Sequence, residues 1–183
     1  MDNGESSYRR FLTGDDSGIV EIIREYKDGL TFFLNSFVGD LNTAEELCED
    51  TFVKLAVKKP GFHAKSSFKT FLYAIGRNVA IDYLKKSKKK IYLEDIGEVV
   101  SYDEDPVSLY IKEERKLAVH RAMGKLKSEY RQALWLTYFE ELSNKETAAV
   151  MKKSVHSIET LIYRARLALK SQLEKEGFVY EEL

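Results

Sequence analysis

The sequence predicts an all-α chain of two small helical domains joined by an acidic linker, the second containing a helix-turn-helix. Three observations carry this. Apolar residues recur at three- and four-residue spacing through most of the 183 positions. Strand signals are weak, because Asn-Gly occurs only at Asn3-Gly4 and no alternating run is bounded by tight turns. The segment KKSKKKIYLEDIGEVVSYDEDP lacks sustained periodicity and ends at Pro106, one of only two prolines. It divides the chain into a first domain over 1–90, a linker over 91–106 and a second domain over 107–183.

In the first domain a helix begins after Asp15-Asp16-Ser17, with Ile19, Ile22, Ile23 and Tyr26 on its apolar side. Leu30, Phe33, Leu34 and Phe37 continue the pattern to Gly39-Asp40. The next helix starts near Thr43, buries Ala44, Cys48, Thr51, Phe52 and Leu55, and stops at Pro60-Gly61. After the loop FHAKSS a long helix is expected from about Phe68 to Lys86, capped by Ser67. Its expected core stripe is Phe68, Phe71, Leu72, Ile75 and Val79.

The second domain is expected to begin near Val107. Leu117, Ala118, Ala122 and Leu126 suggest one helix, and Tyr130, Ala133, Leu134 and Tyr138 the next. A short helix over Asn144 to Met151 follows Ser143 as its cap. The stretch SVHSIETLIYRARLALKSQL, residues 154–173, forms the last helix, with Ser154 as cap. Its apolar face is Val155, Ile158, Leu161, Ile162, Ala165 and Leu169.

Composition bounds the function. Hydrophobic residues make up 44% and charged residues 32%, which suits a packed core and excludes wholesale disorder. Cys48 is the only cysteine, so internal disulfides are impossible and a thiolate zinc site lacks ligands. The start MDNGESSYRR has no apolar core of a secretory signal, and no stretch approaches the roughly 18 apolar residues of a membrane span. A cytoplasmic protein without membrane contact is expected. His63, His120 and His156 lie apart in sequence as surface residues. No nucleophile motif, metal spacing or glycine-rich phosphate loop appears, so neither an enzyme nor a cofactor is expected.

The net charge of −1 conceals a block pattern. Residues 1–53 carry −8, 54–90 carry +10, 91–114 carry −7, 115–173 carry +7 and 174–183 carry −3. Any one such block reads most simply as a solvated face. Two basic blocks, each beside a distinctive helix, point to two anion-binding surfaces.

Residues 143–152 and 154–173 fit a helix-turn-helix, in which two helices cross over a tight turn. Ala148 supplies the small residue at the crossing, and Ile158, ten places on, drops a branched side chain into the shared core. The second helix of such a unit lies in the major groove with its N-terminal residues facing base edges. Helical geometry puts His156, Ser157, Glu159, Thr160 and Tyr163 on the groove face, and Arg164 and Lys170 within reach of phosphates. Lys145 and Ser154 border that face.

The run AEELCEDTFVKLAVKKPGFHAKSSFKTFLYAIGRNVAIDYLKKSKKK, followed after the acidic segment by LSNKETAAVMKKSVHSIETLIYRARLAL, resembles the extracytoplasmic-function sigma factors of bacterial RNA polymerase. The resemblance spans nearly the whole chain, with both domains in the right order and spacing. It implies that AEELCEDTFVKL docks on the clamp helices of the polymerase β′ subunit, presenting Glu46, Glu49, Asp50 and Val53. Acids around one apolar residue suit a basic partner helix, although acids also favour the first turn of any helix. The resemblance further implies that FHAKSSFKTFLYAIGRNVAIDYLKK opens the minus-ten promoter element. Melted DNA needs aromatic platforms for bases and cations for phosphates, and an extruded base must be captured by a shaped loop. The matching positions are Phe62, Lys65, Ser67, Phe68, Tyr73, Arg77, Lys85 and Lys86, with Lys88, Lys89 and Lys90 extending the cationic end. Phe68 also suits the core. Tyr73 and Arg77 are expected on the side away from the core stripe, and Asn78 and Asp82 fall in the family's RN-AID pattern as structural residues. The helix-turn-helix would read the minus-thirty-five element. The acidic linker sits where the family threads the polymerase cleft and RNA exit channel, and it also reads as a solvated tether. Implied partners are core RNA polymerase through its β and β′ subunits, promoter DNA and an anti-sigma factor.

Departures from the pattern matter. Lys127 stands where the family usually has proline, Lys152-Lys153 where it has Gly-Ile, Ala56 where a bulky aromatic is common, and Glu159 and Leu161 where a cation often sits. A glutamate in the groove accepts from cytosine N4 and is repelled by phosphate. A stand-alone regulator using only the helix-turn-helix is the alternative function, but it would have no use for the docking helix or the aromatic and basic loop.

Overall fold

The structure is a computed structural model that describes residues 4–63, 65–94, 114–175 and 177, with side chains described up to Ser87 and again from Ala118. The expected linker from Asp95 to Pro106 and the expected helix start at Val107 lie outside the described residues. In order, the helices are α1 Glu5–Leu12, α2 Ser17–Val38, α3 Leu41–Lys58, α4 Phe68–Glu94, α5 Glu114–Gly124, α6 Ser128–Leu134, α7 Asn144–Met151 and α8 Val155–Lys175. A five-residue π-helical turn, Trp135–Phe139, continues α6.

Helix α1 was not expected. Eight residues are too few to show a helical period, yet Tyr8 and Phe11 are buried. The Tyr8 ring meets Phe68 at 5.3 Å and Phe71 at 6.0 Å, and its hydroxyl donates to the Pro60 carbonyl at 2.7 Å. Burial pushes the Tyr8 hydroxyl up to about 12, so it remains a neutral donor. Helix α2 ends at Gly39, whose φ of 72° is the left-handed conformation glycine adopts without a Cβ clash. Asp40 then caps α3 by accepting from the Thr43 N–H at 2.8 Å. Ala44, Cys48, Thr51, Phe52 and Leu55 are all buried, as expected. Burial raises the Cys48 thiol above its ordinary pKa, which leaves it unreactive. On α2, Ile23 is exposed rather than core.

Helix α4 begins at the expected Ser67 cap, whose Oγ accepts from the Thr70 N–H at 3.3 Å. It runs to Glu94, four residues into the expected linker. Its core stripe also differs. Phe68, Leu72, Tyr73, Gly76 and Ala80 are buried, while Phe71, Ile75 and Val79 are half-buried. The reason is that α4 packs against α2 and α3 on one side and α7 on another, so two faces are covered where a one-faced helix was expected.

In the second half, Ser143 and Glu146 form a reciprocal capping box on α7. The turn into α8 places Lys152 at φ 54°, the left-handed conformation that glycine adopts most readily. Ser154 caps α8 by accepting from the Ser157 N–H at 3.1 Å. Ala148 and Ile158 are both buried at the crossing, as the helix-turn-helix spacing requires. Val155 and Tyr138, expected to face inward, are exposed.

The buried apolar residues form one connected cluster from Tyr8 to Ala165 that runs through both halves. Its junction is Trp135. The indole lies 5.3 Å from Phe32 on α2 and stacks on Phe139 at 4.4 Å and 5°. Its Nε1 donates to the Gly29 carbonyl and to Glu140 Oε1, each at 3.1 Å. The π geometry makes this possible. Glu140 N–H donates to the Trp135 carbonyl five residues back, and the widened turn returns the Glu140 carboxylate to the indole. Gly29 is required opposite, since a Cβ there would run into the Glu140 carboxylate and the Tyr73 hydroxyl. His120 lies among Phe32, Trp135 and Phe139 at 5.7–6.0 Å rather than on the open surface. Ser128 Oγ and Arg131 Nη2 donate to the Ser36 carbonyl at 2.6 and 3.0 Å, fixing the start of α6 on the end of α2.

Two predictions follow from this backbone and its caps. Lys127 has φ −58° and ψ 143°, which proline adopts unstrained. Lys127→Pro should therefore raise unfolding stability by about 0.4–1 kcal/mol in urea titration; a loss would contradict the backbone assignment. Burial pushes the Glu146 carboxyl up, but hydrogen bonds from Ser67, Ser143 and Thr70 outweigh it and hold the group below its ordinary value. A carboxylate so lowered stabilises the fold above its unfolded pKa of about 4.3 and loses that contribution as pH falls through the folded value. The stability difference between wild type and Glu146→Gln should shrink from neutral pH towards pH 3, and a constant difference would contradict it.

Candidate partner and nucleic-acid interfaces

Helix α3 turns one side to the core and the other outward. Glu46, Glu49, Asp50 and Val53 are exposed on that outer side, at i, i+3, i+4 and i+7. Val57, one turn on, is 77% exposed and extends the stripe. The sequence reading missed it, although its spacing from Val53 is legible. Two aliphatic side chains beside three carboxylates make a small apolar and anionic surface on a rigid helix.

The loop before α4 and the start of that helix are less open than expected. Phe62 is half-buried, its ring 5.9 Å from Phe68 and 5.3 Å from Phe71. Lys65, Lys85 and Lys86 are exposed and Arg77 is half-buried; the side chains of Lys88, Lys89 and Lys90 lie outside the described set. Phe68 does not face DNA. It has no exposed surface and packs on Tyr8 and on Tyr26, the latter at 5.8 Å. Burying such a ring contributes about 1.5–3 kcal/mol, which outweighs any surface role. Tyr73 is likewise fully buried, 5.3 Å from Phe33, because the covering of α4 on two sides encloses it. Burial, then the neighbouring Glu140 charge, keeps the Tyr73 hydroxyl far above its ordinary pKa, hence neutral.

Ser67 is engaged across the seam. Its Oγ donates to Glu146 Oε1 at 2.7 Å, and Thr70 Oγ1 reaches the same oxygen at 3.2 Å. Lys69 Nζ lies 3.2 Å from Glu140 Oε2 and 3.1 Å from the Glu140 carbonyl. Lys152 Nζ donates to Asn78 Oδ1 at 3.0 Å. Lys69, Thr70, Glu140 and Trp135 were not singled out from the sequence, since nothing in local periodicity reports contacts more than sixty residues apart.

The outward side of α8 matches the expected groove face more closely. His156, Ser157, Glu159, Tyr163, Arg164 and Lys170 are exposed, as are Lys145 on α7 and Ser154 in the turn. Thr160 is half-buried and its hydroxyl donates back to the His156 carbonyl at 3.1 Å, so it offers a methyl more readily than a donor. Ser154 and Ser157 share a hydrogen bond at 2.8 Å. Glu159 lies 4.0 Å from His156 Nδ1 and otherwise projects freely. The cations cluster later in the helix, at Arg164, Arg166 and Lys170. Leu161 is half-buried and belongs to the core side. Adjoining that side, a largely apolar cleft opens between α5, the π turn and α8, lined by Val119, Met123, Tyr138, Tyr163 and Leu167, with Arg166 and Lys170 also on its wall. Among the described residues no group of three or more His, Cys, Asp or Glu side chains is placed to hold a metal ion, and no helix is long and apolar enough to cross a membrane.

Comparison with known proteins accords with this layout. Residues 22–90 match the family model "Sigma-70 region 2" and residues 116–169 match "Sigma-70, region 4". The chain is 32% identical over 155 residues to the ECF RNA polymerase sigma factor SigM of Bacillus subtilis (strain 168), covering 84% of this chain and 93% of that protein. It is 27% identical over 170 residues to SigW of the same organism, covering 87% and 91%. The fold is similar to that of the sigma factor RpoE from Bartonella quintana, solved with the anti-sigma factor NepR, with TM-score 0.69, 23% identity and coverage of 84% and 95%. It is also similar to that of CnrH, solved with the cytosolic domain of CnrY, with TM-score 0.66, 22% identity and coverage of 95% and 99%. The chain therefore belongs to the extracytoplasmic-function family of RNA polymerase sigma factors: it binds core RNA polymerase and directs transcription initiation from promoters, through their minus-ten and minus-thirty-five elements.

Proposed function

We propose how that activity is distributed over this chain's own residues. The unit over 1–90 docks on polymerase through Glu46, Glu49, Asp50 and Val53, with Val57 completing the stripe. The same unit takes the melted minus-ten strand along Phe62, Lys65, Ser67, Arg77, Lys85 and Lys86. The linker, which begins after α4 and ends at Pro106, joins it to the unit over 107–183, which reads the minus-thirty-five element. There His156, Ser157 and Glu159 face base edges, Tyr163 and Thr160 supply apolar contact, and Lys145, Ser154, Arg164 and Lys170 reach phosphates. The observation that carries this reading is the buried pair Ala148 and Ile158 beneath an exposed N-terminal half of α8, since a recognition helix must be fixed from below and open above.

The protein acts in the cytoplasm as a non-catalytic specificity subunit. Two similar folds were solved with an anti-sigma factor or the cytosolic domain of a second protein, and the α3 stripe and the apolar cleft beside α8 suit such a partner here. Glu159 makes the base preference at the minus-thirty-five element distinctive, favouring a cytosine edge over a phosphate neighbour.

Run-off transcription with core polymerase, on promoters recovered by mapping start sites after overexpression, tests the reading as a whole. Asp50→Lys should weaken core binding about tenfold with unchanged thermal stability; wild-type affinity would remove Asp50 from the docking surface. For holoenzyme on such a promoter, Arg164→Gln should lower the slope of log affinity against log salt by about 1. Glu159→Gln should change base preference and leave the slope nearly unaltered. A slope unchanged by Arg164→Gln would contradict its phosphate role.

A further inference from the structure

Helix α2 carries an outward stripe of its own. Val20, Ile23, Arg24 and Lys27 are exposed at i, i+3, i+4 and i+7. The stripe is the electrical inverse of the one on α3, where Val53 and Val57 stand beside Glu46, Glu49 and Asp50. Among the described residues none of these five charged side chains makes an ion pair. The spacing matches as well. Lys27 back to Val20 and Asp50 on to Val57 are each a seven-position step, about 10 Å along either helix. Only Gly39 and Asp40 separate α2 from α3, and Cys48 Sγ donates to the Lys27 carbonyl at 3.6 Å. The two helices therefore run antiparallel, with Lys27 near the level of Glu49 and Asp50. Counting away from that level brings Ile23 close to the height of Val53, and Val20 close to that of Val57.

We propose that these two stripes join two copies of the chain, with α2 of each copy lying antiparallel along α3 of the other. A two-fold axis running along the helices exchanges the stripes, and their matching heights mean that one contact creates its twin. Val20 and Ile23 then meet the partner's Val57 and Val53, while Arg24 and Lys27 meet the partner's Glu49 and Asp50. Opposite charge sets the register of such a contact, and the wrong pairing of like stripes is repelled. The aliphatic side chains leave water together as one patch, where singly scattered they would call for no partner. The α3 stripe cannot serve the pair and polymerase at once, so pairing and polymerase binding exclude each other. That consequence, and not the pair itself, rests on the proposed docking role of α3.

Sedimentation equilibrium of the full-length protein reads the pair. Wild type should pass from the mass of one chain to that of two as its concentration rises, and added salt should weaken the transition. Arg24→Glu/Lys27→Glu and Glu49→Lys/Asp50→Lys, each checked for an unchanged melt by circular dichroism, should each weaken pairing about tenfold or more, because like charges then face one another at both contacts. Mixed in equal amounts, the two variants should pair with each other, since both contacts regain opposite sign. The chain carrying all four substitutions should pair with itself for the same reason. A wild type that keeps the mass of one chain up to about 100 μM would overturn the proposal. So would folded reversal variants that pair as wild type does, or a mixture that stays single. Core polymerase should bind Arg24→Glu/Lys27→Glu at least as tightly as wild type and should take up wild type as single chains. Polymerase that takes up the intact pair would overturn the docking role of α3 and leave the pair standing.

Discussion

The contact on which the rest of the structure depends is the one between Trp135 and the backbone of Gly29. A tryptophan needs a partner for its indole N–H when buried, and here it has two: the Gly29 carbonyl and the Glu140 carboxylate. The π turn is what brings Glu140 back to the indole, and the missing side chain at Gly29 is what lets the turn approach α2. From that point the order of the molecule follows. Glu140 fixes Lys69, the stacked Trp135–Phe139 pair shields the carboxylate, and Ser36 receives the start of α6. Two helical units that the chain could hold apart are thereby joined through a single apolar cluster.

This seam decides which surfaces face solvent. The outward stripe of α3 and the outward side of α8 stay open, while the first turn of α4 meets α7 through Glu146. The charge blocks make physical sense in that arrangement. At the seam, Ser67, Lys69 and Thr70 of the basic segment meet the Glu140 and Glu146 carboxylates of the other half. Glu140, a buried carboxylate of that seam, has Lys69 as its partner, and burying it alone would be costly.

Much of this was legible in the sequence, and the boundary of legibility is physical. Helices α2, α3, α7 and α8 were readable because each has one apolar face at a regular spacing, and their caps at Ser143 and Ser154 are local hydrogen-bond chemistry. The crossing at Ala148 and Ile158 was readable for the same reason. Helix α1 was not, since two buried rings in eight residues leave no period to detect. Tyr73 was misplaced as an outward residue because periodicity assumes one buried face, and α4 has two, while Phe68, which periodicity put in the core stripe, was carried over as a DNA-facing position by the resemblance alone and is fully buried. His120 and Glu140 were overlooked as seam residues because their roles depend on partners from α2 and α4 that no local window contains. The exposed groove residues of α8 were correctly located on the surface; their individual tasks are chemistry that exposure alone does not assign.

The central claim is that the free protein holds its two helical halves together through the Trp135 seam. Spin labels at Asn42→Cys on α3 and Ser171→Cys on α8, both exposed positions, can be placed selectively because Cys48 is buried. The account predicts one narrow interlabel distance in the free protein and a broader one in Trp135→Ala, which removes the indole from the seam. A distance that is broad in the free protein, or unchanged in Trp135→Ala, would contradict it.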